Sequence, residues 1–218
     1  MTSPSQQTLR AIASITAIAV GAAVLVTGSY EVSHARIEEN RRARLLRTLH
    51  EVLDPARHDN ALTESRRAVR DVALLGSTDP VDVFIATREG RPVAALFSSV
   101  APRGYSGPIH LLIGIADDGT VTGVRVTSHR ETPGLGDVIE IEKSDWILGF
   151  DGTSLSSPPL DGWAVSRDQG LFDAITGATI TPRAVVDGVK NTLLYFQQHK
   201  DELFSEVSGS DPSSGAQQ

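Results

Sequence analysis

Two short stretches gather hydroxyl, carboxyl, imidazole and glycine groups closely enough to do chemistry. The first is His129-Arg130-Glu131-Thr132-Pro133-Gly134-Leu135-Gly136, directly after a strand-like run. Two glycines around one leucine let the backbone approach a flat ligand and present N–H donors without a Cβ in the way. Glu131 can orient a ligand edge, and His129 can titrate near neutral pH. The second stretch is Asp173-Ala174-Ile175-Thr176-Gly177-Ala178-Thr179-Ile180-Thr181, just before a helical run. A loop entering a helix N-terminus offers unpaired N–H groups and the favourable dipole end for a phosphate. Gly177 and Ala178 clear space beside the hydroxyls of Thr176 and Thr179. Taken singly, the first stretch reads equally as a Pro-Gly-x-Gly turn and the second as a polar turn with a helix cap. A nucleotide P-loop is not supported, because the lysine-hydroxyl ending is missing. Nothing in the sequence points to a nucleophile–base–acid constellation.

The elements that must hold these stretches are legible around them. VDVFIAT and PVAALFSSV, within residues 81–100, flank Arg88-Glu89-Gly90-Arg91, a connection of hairpin length. HLLIGIA and TVTGVRVTS flank Asp117-Asp118-Gly119, whose Asp-Gly pair signals a hairpin turn. Alternation along Val121 to Ser128 predicts a sheet with one covered face. Glu140 to Phe150 predicts a short helix around Trp146, and residues 153–159 a loop. Trp146 and Trp163 read as core residues. Thr181 is the expected N-cap and Pro182 the first residue of a last helix. Val185, Val189, Leu193 and Phe196 line one face of it, to about Phe204. Upstream, residues 34–53 read as a helix carrying Leu45, Leu46, Leu49, Val52 and Leu53, ended by Asp54-Pro55. Antiparallel pairs followed by helices give an α+β domain.

Composition bounds the chemistry further. The 218 residues carry 20 Lys and Arg against 27 Asp and Glu, a formal charge of -7, and no cysteine. Lack of cysteine removes disulfides, iron–sulfur clusters and thiolate zinc sites, so any redox chemistry needs an organic cofactor. From Asp71 onward there are 10 basic residues against 20 acidic ones, which argues against nucleic acid as a partner. Ala11 to Tyr30 is an uncharged run, and twenty such residues in a helix reach about 30 Å, the bilayer's hydrocarbon thickness. A cleaved signal peptide is the competing reading, with Ser33-His34-Ala35 as a cleavage-like site. Arg36, Arg41, Arg42, Arg44 and Arg47 after the span, against Arg10 before it, place the main domain in the cytoplasm by a plain positive-charge count.

Read together, the two stretches resemble a family. Thr176-Gly177-Ala178-Thr179 is similar to the S/T-G-A-T motif of flavoproteins that carry FMN on the motif's last threonine. His129-x-Glu131-Thr132-Pro133-Gly134-Leu135-Gly136 follows Gly104-Tyr105-Ser106-Gly107 and the hairpin containing Gly114-Ile115 and Gly123-Val124. In that order these resemble the G subunits of Rnf-type ion-translocating electron-transport complexes, and more distantly the C subunits of sodium-pumping NADH:quinone reductases. The resemblance implies FMN joined by a phosphoester to Thr179, with Thr176, Gly177, Ala178 and Thr181 around the linkage. It implies Glu131, Thr132, Gly134, Leu135 and Gly136 along the flavin ring, with Leu135 as the packing contact. It also implies a single N-terminal anchor in the inner membrane and a main domain on the periplasmic side, against the arginine count. A flavin transferase would load the cofactor, and the partners would be other members of the complex, especially a neighbouring membrane subunit that also carries FMN.

The expected organisation is then a cytoplasmic tail over 1–10, a transmembrane helix over 11–30 and a connecting helical segment over 31–75. An antiparallel-sheet FMN-binding domain with flanking helices follows over 76–204, and a disordered tail over 205–218. The competing reading is an anchored extracytoplasmic module that binds FMN non-covalently, as a sensor or as a flavin reductase.

Overall fold

A computed structural model of the protein describes residues 39–208. The expected anchor over 11–30, the tail over 1–10 and most of the tail over 205–218 lie outside the described residues. Among the described residues, no helix is long and apolar enough to cross a membrane. Two compact units divide between Leu45 and Leu46. The described residues of the first are helical, and the second holds the sheet and both chemical stretches.

Five strands form one antiparallel meander in chain order. They are β1 (Arg66–Val69), β2 (Val81–Arg88), β3 (Arg91–Ala101), β4 (Ile109–Ala116) and β5 (Val121–Ser128). Both predicted hairpins are present. Glu89 and Gly90 take φ of 52° and 73° between β2 and β3, the paired positive values that match the twist of two adjoining strands. Gly119 takes φ 86° between β4 and β5, where its N–H donates to the Ala116 carbonyl. Among the described residues three α-helices complete the α+β fold: α1 over residues 39–52, α2 (Val72–Leu75) and α3 (Ile180–Ser208). The last runs four residues past the expected end at Phe204.

Side chains alternate between two apolar layers, as the period of a strand requires. Val83, Ile85, Ala95, Phe97, Leu111 and Ile113 face the larger core, which they share with Val185, Val189, Leu193 and Phe196 of α3. Phe84, Ala86, Ala94, Leu96 and Leu112 face a smaller core shared with Leu49, Val52, Leu53 and Leu62. The sheet is therefore covered on both faces, where the alternation along β5 suggested one. Glycines make the second cover possible. Gly114 and Gly123 are register partners on β4 and β5. A Cβ on Gly114 would stand 2.8 Å from the Val52 carbonyl oxygen, and one on Gly123 2.9 Å from the Val52 Cα. The backbone at the end of α1 rests on this bare strip, and the Thr122 hydroxyl donates to the Val52 carbonyl at 2.5 Å. Residues 39–75, the described part of the expected connecting segment, hold more than helix. They supply this cover, the edge strand β1 and two short 3-10 turns, Pro55–Arg57 and Leu62–Glu64.

At the end of α1, His50 meets His58 with 3.4 Å between the two Nε2 atoms. The His58 Nδ1–H donates to the Asn60 carbonyl, which leaves its Nε2 to accept from His50. Burial first, and then the charge of His58, holds the His50 imidazole below its ordinary value of 6.5. The unfolded chain therefore takes up this proton before the folded one does. The neutral imidazole's contribution to stability is complete above about pH 6.5 and declines as pH falls below it. We expect the unfolding midpoint to drop more steeply from about pH 7 to pH 5.5 in the wild type than in His50→Gln. Parallel profiles would remove His50 as the cause.

Candidate functional site

The segment from β5 to α3 carries both chemical stretches and is built almost wholly from turns. Four short 3-10 helices lie in it: Gly136–Ile139, Asp145–Phe150, Leu160–Gly162 and Ser166–Asp168. Buried aromatic rings hold it on the sheet. Phe150 stacks on Phe172 at 4.6 Å between centroids, and Trp163 lies 5.0 Å from Phe172. Trp163 is core, as expected, whereas Trp146 is half-buried. The Trp146 indole N–H donates to the Asp173 carbonyl at 2.8 Å, pinning the loop that leads to Thr176.

Glu131 is the organising side chain. It is buried, and its carboxylate accepts three hydrogen bonds from two segments distant in the chain. The Ser106 N–H donates to Oε1 at 2.9 Å and the Tyr105 N–H to Oε2 at 3.2 Å. The Thr181 hydroxyl donates to Oε2 as well. Each neighbour makes room for the carboxylate. A Cβ on Gly136 would stand 2.8 Å from the Glu131 Cβ, and one on Gly104 3.0 Å from its Oε1. Thr181 is accordingly not the N-cap that its sequence position suggested. The helix begins one residue earlier, and its hydroxyl turns inward to a charged acceptor, a stronger partner than a backbone N–H. Pro182, without an N–H, sits harmlessly in the first turn.

His129 lies behind this arrangement. Its Nδ1 accepts from the Glu131 N–H at 3.0 Å, so Nε2 carries the hydrogen and donates to Glu140 at 2.5 Å. It orients the chain at Glu131 and does not line the cavity in front.

That cavity, about 400 Å³, is where the two stretches meet, a size typical of small-molecule sites. Eight of the ten residues singled out in sequence line it: Glu131, Thr132, Leu135, Gly136, Gly177, Ala178, Thr179 and Thr181. Thr176 and Gly134 lie outside the lining, the first exposed and the second at φ 77° in the turn that aims Leu135. Gly177 takes φ 83°, and a Cβ there would stand 3.0 Å from the Leu135 Cδ2. The two loops therefore touch through a leucine laid over a bare glycine. Tyr105 and Ile180 also line the cavity. With Leu135 they are exposed at 68%, 45% and 44%, an apolar rim of the kind a planar aromatic ligand would cover.

Thr179 is half-buried just before the first residue of α3. Its hydroxyl accepts a hydrogen bond from the Arg167 guanidinium at 2.9 Å. Nearby, Arg183 forks onto Asp168 through Nε and a second nitrogen at 2.5 and 2.6 Å. That pairing holds the Asp168 carboxyl below its ordinary range and the Arg183 guanidinium above its own. The site thus combines an exposed apolar rim with a hydroxyl, a nearby cation and a helix N-terminus. Such a combination suits a ligand with a flat ring and a phosphate tail. Sequence reasoning missed Arg167, Tyr105 and Ile180. A second cleft of about 370 Å³ lies among Asp117, Asp118, Ser154, Leu160, Phe196 and Lys200, and none of the singled-out residues reach it.

Comparison with known proteins converges on the same segment. Residues 104–194 match the FMN-binding domain family. The chain is 47% identical over 181 residues to the G subunit of the ion-translocating oxidoreductase complex of Pseudoalteromonas atlantica, covering 83% of this chain and 84% of that one. It is 46% identical over 175 residues to the G subunit of Shewanella piezotolerans, covering 80% and 82%. Against the G subunit of Vibrio cholerae it is 43% identical over 182 residues, covering 84% and 87%.

Proposed function

Since the chain belongs to the family of G subunits of ion-translocating oxidoreductase complexes, we propose that it is the FMN-carrying electron-transfer subunit of such a complex. FMN is held by a phosphoester to Thr179, and the observation that carries this reading is the setting of that hydroxyl. It lines the cavity beside Arg167 at the start of α3, whereas the Thr181 hydroxyl is buried on Glu131. Of these two threonines, only Thr179 offers an accessible oxygen where a phosphate would be stabilised.

FMN, when bound, supplies one- and two-electron redox chemistry that no side chain here provides. The residues of the chain hold and orient. Gly136 leaves room for Glu131 and Gly177 for Leu135, and Leu135, with Tyr105 and Ile180, would offer apolar contact to the ring. Thr132, Gly134, Thr176 and Ala178 shape the two loops. Glu131 fixes the loops relative to α3 and spends its hydrogen-bonding capacity on the protein. The exposed apolar rim would leave the bound group accessible to a second redox centre. That partner is the neighbouring FMN-carrying membrane subunit, and a flavin transferase supplies the cofactor. The uncharged run Ala11 to Tyr30 anchors the chain in the inner membrane with this domain on the periplasmic side.

Full-length protein made together with the transferase should keep its flavin through denaturation. Peptide mapping should place the added FMN mass between residues 167 and 183. Flavin that leaves in denaturant would instead support the non-covalent sensor or reductase reading. In intact spheroplasts, added protease should degrade the domain; degradation only after the inner membrane is ruptured would reverse the topology.

A further inference from the structure

We propose that Arg167 is the positioning residue of the attachment site, holding the Thr179 hydroxyl for modification and then serving as counter-ion to the linked phosphate. This rests on the reading of Thr179 as the attachment residue. In the unmodified chain the Arg167 guanidinium donates to the Thr179 oxygen at 2.9 Å. That bond occupies one lone pair and leaves the hydroxyl's own hydrogen free to depart. A cation at this distance also favours the oxygen as negative charge develops on it. In the attachment step the Thr179 oxygen forms a bond to the phosphorus of an activated FMN, a phosphoanhydride. The anhydride P–O bond breaks, the second phosphate leaves with its electron pair, and the hydroxyl proton passes to a base on the transferase. The product is a singly charged phosphodiester between the Arg167 guanidinium and the N–H groups opening α3, a charge-assisted setting that the free hydroxyl does not need.

The backbone at Arg167 is fixed without help from its side chain. The Ser166 N–H donates to the Phe172 carbonyl at 2.7 Å, and the Gly170 N–H donates to the Val165 carbonyl at 3.1 Å. Val165 and Phe172 are buried in the core. Next along the chain, Asp168 is clamped by Arg183, which fastens this turn to the first turns of α3. The guanidinium committed to protein structure is therefore that of Arg183, while that of Arg167 reaches the reactive hydroxyl. This division also separates the three threonines of the loop. Thr181 is sequestered on Glu131, Thr176 stands exposed outside the cavity lining, and Thr179 alone has its hydroxyl on an arginine among the described bonds.

The test uses full-length chain in detergent, purified transferase and its flavin dinucleotide substrate, with incorporation followed by denaturing-gel fluorescence and intact mass. Arg167→Gln should slow incorporation about tenfold or more, the range for losing a hydrogen bond from a charged donor. Its unfolding midpoint should match that of the wild type. Arg167→Lys, which keeps the charge, should recover part of the rate. Arg183→Gln breaks the clamp but leaves Arg167, and should cost less than Arg167→Gln. A wild-type rate in Arg167→Gln, or equal losses in the two glutamine variants, would overturn the proposal. Wild-type chain modified elsewhere than Thr179 would overturn the attachment reading itself.

Discussion

Thr179→Ala is expected to abolish covalent flavin while leaving a folded protein. Made with the transferase present, the variant should show no flavin fluorescence on a denaturing gel and an intact mass equal to the bare polypeptide. The loss is all or none, because neither of the other two threonines of this loop can take over. Thr181, two residues on, is buried and donates to Glu131, so its oxygen faces away from an incoming phosphate. Thr176 lies outside the lining, away from the guanidinium that marks Thr179. Stability should change little. Thr179 precedes the first residue of α3, where exchanging a threonine for alanine costs about 1 kcal/mol. Thr179→Ser keeps the oxygen and should keep the flavin. Full flavin retention in Thr179→Ala would move the linkage to Thr176 or Thr181.

The largest stability effect is expected from Glu131→Ala. The truncation leaves the N–H groups of Tyr105 and Ser106 and the Thr181 hydroxyl without their acceptor. Abandoned buried donors to a charged group cost about 3 kcal/mol, after allowance for water entering through the cavity. For a chain of this size that lowers the unfolding midpoint by roughly 6–12 °C. The chain should also lose flavin loading, because the segment at residues 104–107, the Thr132–Gly136 turn and the first turn of α3 share this one anchor. Glu131→Gln keeps a single acceptor and turns an amide N–H toward a donor, so it should fall between the two. Calorimetry on unloaded protein separates the staple from any effect of cofactor. An unchanged midpoint there would mean that the three loops are held by something else.

The reach of each signal explains what the sequence disclosed. Hairpin turns, the alternation of strands and the helical period of Val185, Val189, Leu193 and Phe196 act over a few residues, and all are present in the structure. The His129–Gly136 and Asp173–Thr181 stretches could be singled out because glycines beside hydroxyls are a local pattern. The edge strand β1 escaped notice, since Arg66-Arg67-Ala68-Val69 lacks a clear apolar alternation and takes its conformation from pairing with β2. The cover on the second sheet face was hidden for a related reason. Gly114 and Gly123 look like ordinary hairpin residues, and only the packing of α1 against them gives their bareness a purpose.

The sequence by itself determined that the chain carries no thiol chemistry, that its domain is an antiparallel α+β fold, and that two loops hold the reactive groups. Tertiary structure alone decided which groups meet. Arg167 reaches Thr179 across 12 positions, and Glu131 gathers backbone N–H groups 25 and 26 positions away. Every residue but proline has such an N–H, so nothing in its side chain announces that it will donate. The same closure took Thr181 from the helix cap its position suggested to the Glu131 carboxylate, and left the oxygen of Thr179 facing the cavity. The burial of the Thr181 hydroxyl, two residues from Thr179, is imposed by a carboxylate fifty residues upstream.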